Sequence, residues 1–104
     1  MLGGGTVTKL IIAPEAGADL VNAYHWYEKR RVGLGEEFLS CVDVCLQGVC
    51  RQPELHAKVR ENYRRVLVRR FPFAVFYEHE DGVVSVYGIF HTTRDPAAWQ
   101  QRLP

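Results

Sequence analysis

Residues 63–91 read YRRVLVRRFPFAVFYEHEDGVVSVYGIFH, and the period of this stretch decides the fold. From Tyr63 to Arg70 the side chains alternate, with Val66 and Val68 facing one way and Arg65, Leu67 and Arg69 the other. Phe73–Glu78 and Val83–Phe90 are rich in β-branched and aromatic residues, the composition of strands. Asp81-Gly82 between them is a hairpin signal. Three consecutive strands therefore occupy this stretch.

Upstream the period changes. Thr6–Ile12 reads as a first strand that stops at Pro14. Pro14 suits the first turn of a helix, and Glu15 and Asp19 lie near the positive end of its dipole. Leu20, Ala23, Tyr24 and Tyr27 follow at helical spacing, and Lys29, Arg30 and Arg31 close the helix. After Gly33 and Gly35, a second helix carries Leu34, Phe38, Cys41, Val42, Cys45, Leu46 and Val49 on one stripe and ends near Arg51, before Pro53. So short a link makes the two helices an antiparallel hairpin. Downstream, Asp95 is placed to cap a short last helix with Pro96 at its first position and Trp99 inside. The expected order is β-α-α-β-β-β-α, an α+β domain with the helices gathered on one side of a small, mainly antiparallel sheet and the first strand at an edge. Residues 6–104 are expected to form one domain, with residues 1–5 as a loose glycine-rich tail.

The composition is that of an ordinary globular chain: 104 residues, 47% hydrophobic and 24% charged. No apolar run approaches the roughly 18 residues that span a bilayer, and no signal peptide is visible, so a cytoplasmic protein without a membrane partner is expected. Cys41, Cys45 and Cys50 are odd in number and share one helical stretch, which argues against a disulfide framework. No His or carboxylate completes a zinc set with them, and His56 stands too far apart, so neither a metal nor a cofactor is expected. A phosphate-binding glycine loop and a nucleophile elbow are also missing.

The net charge of +1 hides a segregation. Residues 51–70 hold seven basic side chains against two acidic ones, whereas the segments on either side are each net −2. Such a patch suits an acidic partner, protein or nucleic acid. Within it, Arg64, Arg65, Arg69 and Arg70 are the candidate binding residues, with Arg65 and Arg69 expected on one strand face. A solvated edge strand protected by charge is the plain alternative. His91, where the last strand ends, is a candidate acid or base, although a lone histidine is as readily structural. Trp26 is expected to be partly exposed, opposite the core stripe, on a partner surface.

Taken together, the residues resemble the RelE/ParE toxin superfamily from about Lys9 to Arg102. The resemblance rests on Ala13 through Leu20 (APEAGADL), Tyr27, the Gly33-Leu34-Gly35 turn and Phe38. It continues in Arg69-Arg70-Phe71-Pro72-Phe73 with Val75-Phe76-Tyr77, and in His91-Thr92-Thr93-Arg94-Asp95-Pro96 with Trp99 and Arg102. It implies a type II toxin whose action causes growth arrest until a cognate antitoxin covers it. RelE-like members cut mRNA on the ribosome, and ParE-like members inhibit DNA gyrase. The arginine of the nuclease branch corresponds to Ala74, and its two strand lysines to Arg65 and Leu67. Its terminal tyrosine corresponds most nearly to Trp99. The inherited nuclease set is thus depleted, and the expectation is a ParE-like gyrase inhibitor that binds through Arg64, Arg65, Arg69, Arg70, Trp26, Trp99 and Arg102, with no small-molecule substrate. The alternatives are a ribonuclease rebuilt from Arg65, Arg69, His91 and Arg94, and an inactive toxin that only binds antitoxin.

Overall fold

A computed structural model of the chain describes residues 9–104. The elements run β1 (Lys9–Ile12), α1 (Pro14–Arg30), α2 (Leu34–Arg51), β2 (Lys58–Arg60), β3 (Tyr63–Leu67), β4 (Phe73–Glu80), β5 (Val83–His91) and α3 (Pro96–Arg102). They form one five-stranded sheet in the order β1-β5-β4-β3-β2. Among the described residues, only the β1–β5 pair is parallel. The fold is α+β with β1 at an edge, as expected; the glycine-rich tail and the first residues of the expected first strand lie outside the described residues.

Three details differ from the sequence expectation. An additional strand, β2, pairs with β3 through an irregular register, and its three residues are too few to show a period. β3 stops at Leu67, because Val68 N–H donates to Phe73 C=O at 2.9 Å and the chain turns there, with Arg70 in the left-handed region at φ 71°. The helices are also divided between the two faces of the sheet. Phe73, Val75 and Tyr77 of β4 pack toward α1 and α2, whereas Ala74 and Phe76 pack toward Trp99 and Leu103. A strand apolar on both faces needs a cover on each side.

A β-bulge sets which side chains of β5 meet which layer. Phe76 pairs with Gly88 and Tyr77 with Val86, which leaves Tyr87 as the extra residue. Val84 and Val86 lie in the helical-hairpin core, and beyond the bulge it is Ile89 that returns to it. Gly88 falls on the other face, where an added Cβ would sit 2.5 Å from the Phe90 ring.

The helical hairpin is locked by a carboxylate. Glu28 of α1 accepts from Gly33 N–H at 2.9 Å and from Gly35 N–H at 3.0 Å, satisfying donors at the start of α2 and placing a negative charge at its positive end. Gly35 is packed so closely that a Cβ would lie 2.7 Å from the Tyr24 ring and 2.8 Å from the Tyr24 carbonyl oxygen. Below this junction Tyr27, Phe38, Phe71 and Phe73 form an aromatic cluster with ring centroids 4.9–6.1 Å apart.

The two layers meet at the outer edge of β5. β1 covers that edge only to Val86, whose C=O accepts from Ala13 N–H at 2.9 Å. Beyond it, Asp19 of α1 accepts from Ile89 N–H at 3.0 Å, and Arg102 of α3 donates to Tyr87 C=O at 3.3 Å. The two side chains also form a forked pair with contacts of 2.8 and 3.2 Å. They complete part of the edge in place of a strand.

Two outcomes are expected in chemical denaturation. Asp19→Ala and Arg102→Ala should each cost about 2 kcal/mol, since each strands a partly buried charge, and the double variant should cost less than the sum; additive losses would show that the pair is not coupled. Gly35→Ala should cost about 2 kcal/mol through overpacking. Gly17→Ala, at the fourth residue of α1 with nothing within 4 Å of the new Cβ, should instead stabilise by roughly 0.5–1 kcal/mol. The same sign for both glycines would overturn the packing argument.

Candidate functional site

The basic segment is continuous in sequence and divided in space. Arg64 turns toward the helical face, where it donates to the carbonyl oxygens of Glu54 at 3.1 Å and His56 at 2.6 Å. Its guanidinium therefore holds the loop between α2 and β2 against the sheet. Beside it, Tyr77 donates to Pro53 C=O at 2.8 Å, and burial pushes the Tyr77 hydroxyl up to about 12. His56, packed edge-on to Tyr77, has its pKa lowered by burial and by the neighbouring Arg64.

Arg65 points the other way. It lines a cavity of about 70 Å³ with His91, Arg94 and Trp99, floored by Phe76 and Phe90. Strand alternation explains its place, and the β5 end and the turn after it supply the rest. Thr93 donates to His91 Nδ1 from its backbone N–H at 3.1 Å, and its hydroxyl lies 2.7 Å from the same atom. With Nδ1 accepting, the neutral ring carries its proton on Nε2, which makes that nitrogen a donor. Arg94 lies over Phe90, 5.3 Å from the ring centroid, and Trp99 stacks on Phe76 at 4.9 Å and 19°. The cavity lining contains two guanidinium groups and no carboxylate, so its chemistry is that of an anion site.

Arg69 does not join this set. Because β3 ends at Leu67, the alternation that would align Arg69 with Arg65 is broken. Arg69 and Arg70 instead line a larger groove of about 600 Å³ between α2 and β3, together with Arg51, Val44 and Leu67. Cys45 opens onto the same groove, and burial pushes its thiol up to about 11. Arg70 donates to Glu37 at 3.0 Å, and Arg31 reaches the same carboxylate at 3.1 Å.

Trp26 is half exposed, as the sequence led us to expect, with the Arg30 guanidinium 3.8 Å from its ring centroid. It borders a third cavity of about 280 Å³, beside α1 at the end of β5. Arg102 is held by Asp19 and lies 4.7 Å from the Phe90 centroid. The sequence reading missed Asp19, Glu28, Glu37 and Thr93 as partners. Helical spacing shows that Asp19 lies near a helix start, but not that an arginine 83 residues away meets it.

The same architecture occurs in a solved structure described as "Chromosomal ParDE TA system from P. aeruginosa". The match has a TM-score of 0.72 at 13% identity, covering 85% of this chain and 98% of that one. No curated protein matches by sequence. Residues 10–96 match the family model described as the ParE toxin of the type II toxin–antitoxin system, parDE. The fold and the matched span define a RelE/ParE superfamily toxin. The chain belongs to the ParE toxin family.

The Arg70 and Arg31 hydrogen bonds hold the Glu37 carboxyl below its ordinary value of 4.5. A depressed carboxylate contributes stability that is present above its unfolded pKa and lost as pH falls through the folded one. Stability measured by denaturant titration should therefore decline below pH 4.5, and Glu37→Gln should flatten that decline. An unchanged slope in the variant would remove Glu37 from the acid response.

Proposed function

We propose that this toxin binds and poisons DNA gyrase without cleaving RNA, that it acts in the cytoplasm, and that a cognate antitoxin neutralises it. The observation that carries this reading is Ala74. It stands where the nuclease branch has its arginine, is 3% exposed, and packs with Phe76 and Phe90. Catalysis of RNA cleavage needs a base for the 2′-hydroxyl and cations for the developing phosphorane charge. Here one cation is replaced by a buried methyl group and another by Leu67. The His91 nitrogen that accepts is already engaged by Thr93. The cavity of about 70 Å³ is also small beside the roughly 300 Å³ of the smaller ligand pockets.

The ribonuclease reading keeps one observation in its favour: Arg65, His91 and Arg94 gather at one cavity. Neutralisation by an antitoxin is supported by the groove between α2 and β3. Val44 and Leu67 are largely exposed there, and Arg51, Arg69 and Arg70 also line it. That combination suits an acidic amphipathic helix laid into the groove.

Induction of the chain in bacteria, with gyrase–DNA cleavage complexes and mRNA integrity measured in the same extracts, tests the proposal. Growth arrest with trapped gyrase and intact mRNA is the expected result. Cleaved mRNA with free gyrase, abolished by His91→Ala, would establish the ribonuclease reading. Growth without arrest would leave only the antitoxin-binding role.

A further inference from the structure

Among the described residues, the outer edge of β5 is only partly completed. Val86 C=O takes Ala13 N–H, Tyr87 C=O takes Arg102, Ile89 N–H goes to Asp19, and His91 C=O takes Arg94 N–H at 3.0 Å. Strand alternation turns the N–H and C=O of one residue to the same side, so Ile89 C=O and His91 N–H share this edge. In a parallel pair, one residue of the added strand donates to the first of two such groups and accepts from the second. β1 already runs parallel to β5 along the same edge.

Beside these two groups lies the cavity of about 280 Å³. Its walls include Ala23, Tyr27, Phe73 and Ile89, which are apolar, and its lining also includes Trp26 and Arg94. Arg30 lies over Trp26. The acid of the lining, Asp19, is neutralised by Arg102, whereas among the described residues Arg94 has no carboxylate within 4.0 Å. An apolar floor is thus bordered by unbalanced positive charge. We propose that the edge at Ile89–His91 and this cavity receive an extended acidic segment of a partner protein, held by one parallel β-bridge.

The bridging residue of that segment pairs opposite Phe90. Its two neighbours therefore point to the helical side of the sheet, where the cavity lies. An apolar side chain there fills the cavity, and a flanking carboxylate meets Arg94. A helix does not serve, because its interior backbone groups are already paired and leave nothing for Ile89 and His91. His91 and Arg94 line both this cavity and the smaller one on the other face. A seated segment therefore covers His91 and Arg94 of the smaller cavity and leaves Arg65.

The probe is the capped peptide acetyl-Glu-Phe-Ser-Phe-Glu-amide, titrated into the ¹⁵N-labelled full chain. The expected result is a set of largest shifts at the His91 and Arg94 amides and the Trp26 indole, with slower exchange of the His91 amide. N-methylation of the serine removes the donor to Ile89 and should weaken binding roughly tenfold. Arg94→Glu, a lysine-for-glutamate peptide, and Asn22→Trp at the exposed cavity wall should each abolish it. The proposal is overturned by any of several results: shifts confined to the groove between α2 and β3, equal binding of the N-methylated or lysine peptide, self-association of the chain through this edge in place of peptide binding, or no shift at millimolar peptide.

Discussion

The architecture depends on how the outer edge of β5 is closed. β5 runs nine residues and β1 ends at Ile12 opposite Val86, so among the described residues no strand pairs along this edge beyond it. Asp19 and Arg102 supply one acceptor and one donor there, and their charges satisfy each other. An isolated charge at such a partly buried position is costly, and a hydrogen-bonded pair with further backbone partners offsets most of that cost. The pair also joins α1 on one face of the sheet to α3 on the other. Arg60 acts similarly on the far side of α3, donating to the carbonyl oxygens of Gln100 at 2.9 Å and Leu103 at 3.2 Å. A seven-residue helix that is too short to be stable alone is thereby fixed at its C-terminal end.

Chain geometry distributes the charge. Seven basic residues within twenty positions look like one patch, yet strand alternation sends Arg64 and Arg65 to opposite faces, and the turn after Leu67 carries Arg69 and Arg70 to a third place. Among the described residues Arg64 forms no ion pair; it collects loop carbonyls. Of these residues, Arg65 lines a small cavity walled by aromatic rings, and Arg51, Arg69 and Arg70 line a broad apolar groove.

Much of this was legible in the residues. Pro14, the Gly33–Gly35 turn and Asp95 mark the helix boundaries, and Asp95 does accept from Ala97 N–H at 2.9 Å. Asp81-Gly82 forms a two-residue turn with φ positive at both positions, as the hairpin signal implied. The edge position of β1 followed from the helical hairpin that separates it from the other strands. The end of β3 was not legible, because Val68-Arg69-Arg70 continues the alternating pattern while Arg70 takes a left-handed conformation held by Glu37. The position of α3 on the second face depended on long-range contacts, Trp99 on Phe76 and Arg102 on Asp19, that no local period records. Of the candidate catalytic residues, Arg65, His91 and Arg94 converge, and Arg69 was assigned to the same face through the overlong strand.

The bulge at Tyr87 has a further consequence for how this chain compares with others. It acts as a frame shift in the pattern of inward and outward side chains, with Val84 and Val86 in one frame and Ile89 in the other. A homologous strand that lacks the extra residue keeps its polar ending only by exchanging large and small side chains across the two faces. Alignments anchored on the His-Thr-Thr-Arg ending and alignments anchored on the hairpin will then disagree by one position, and each will be correct for its own half of the strand.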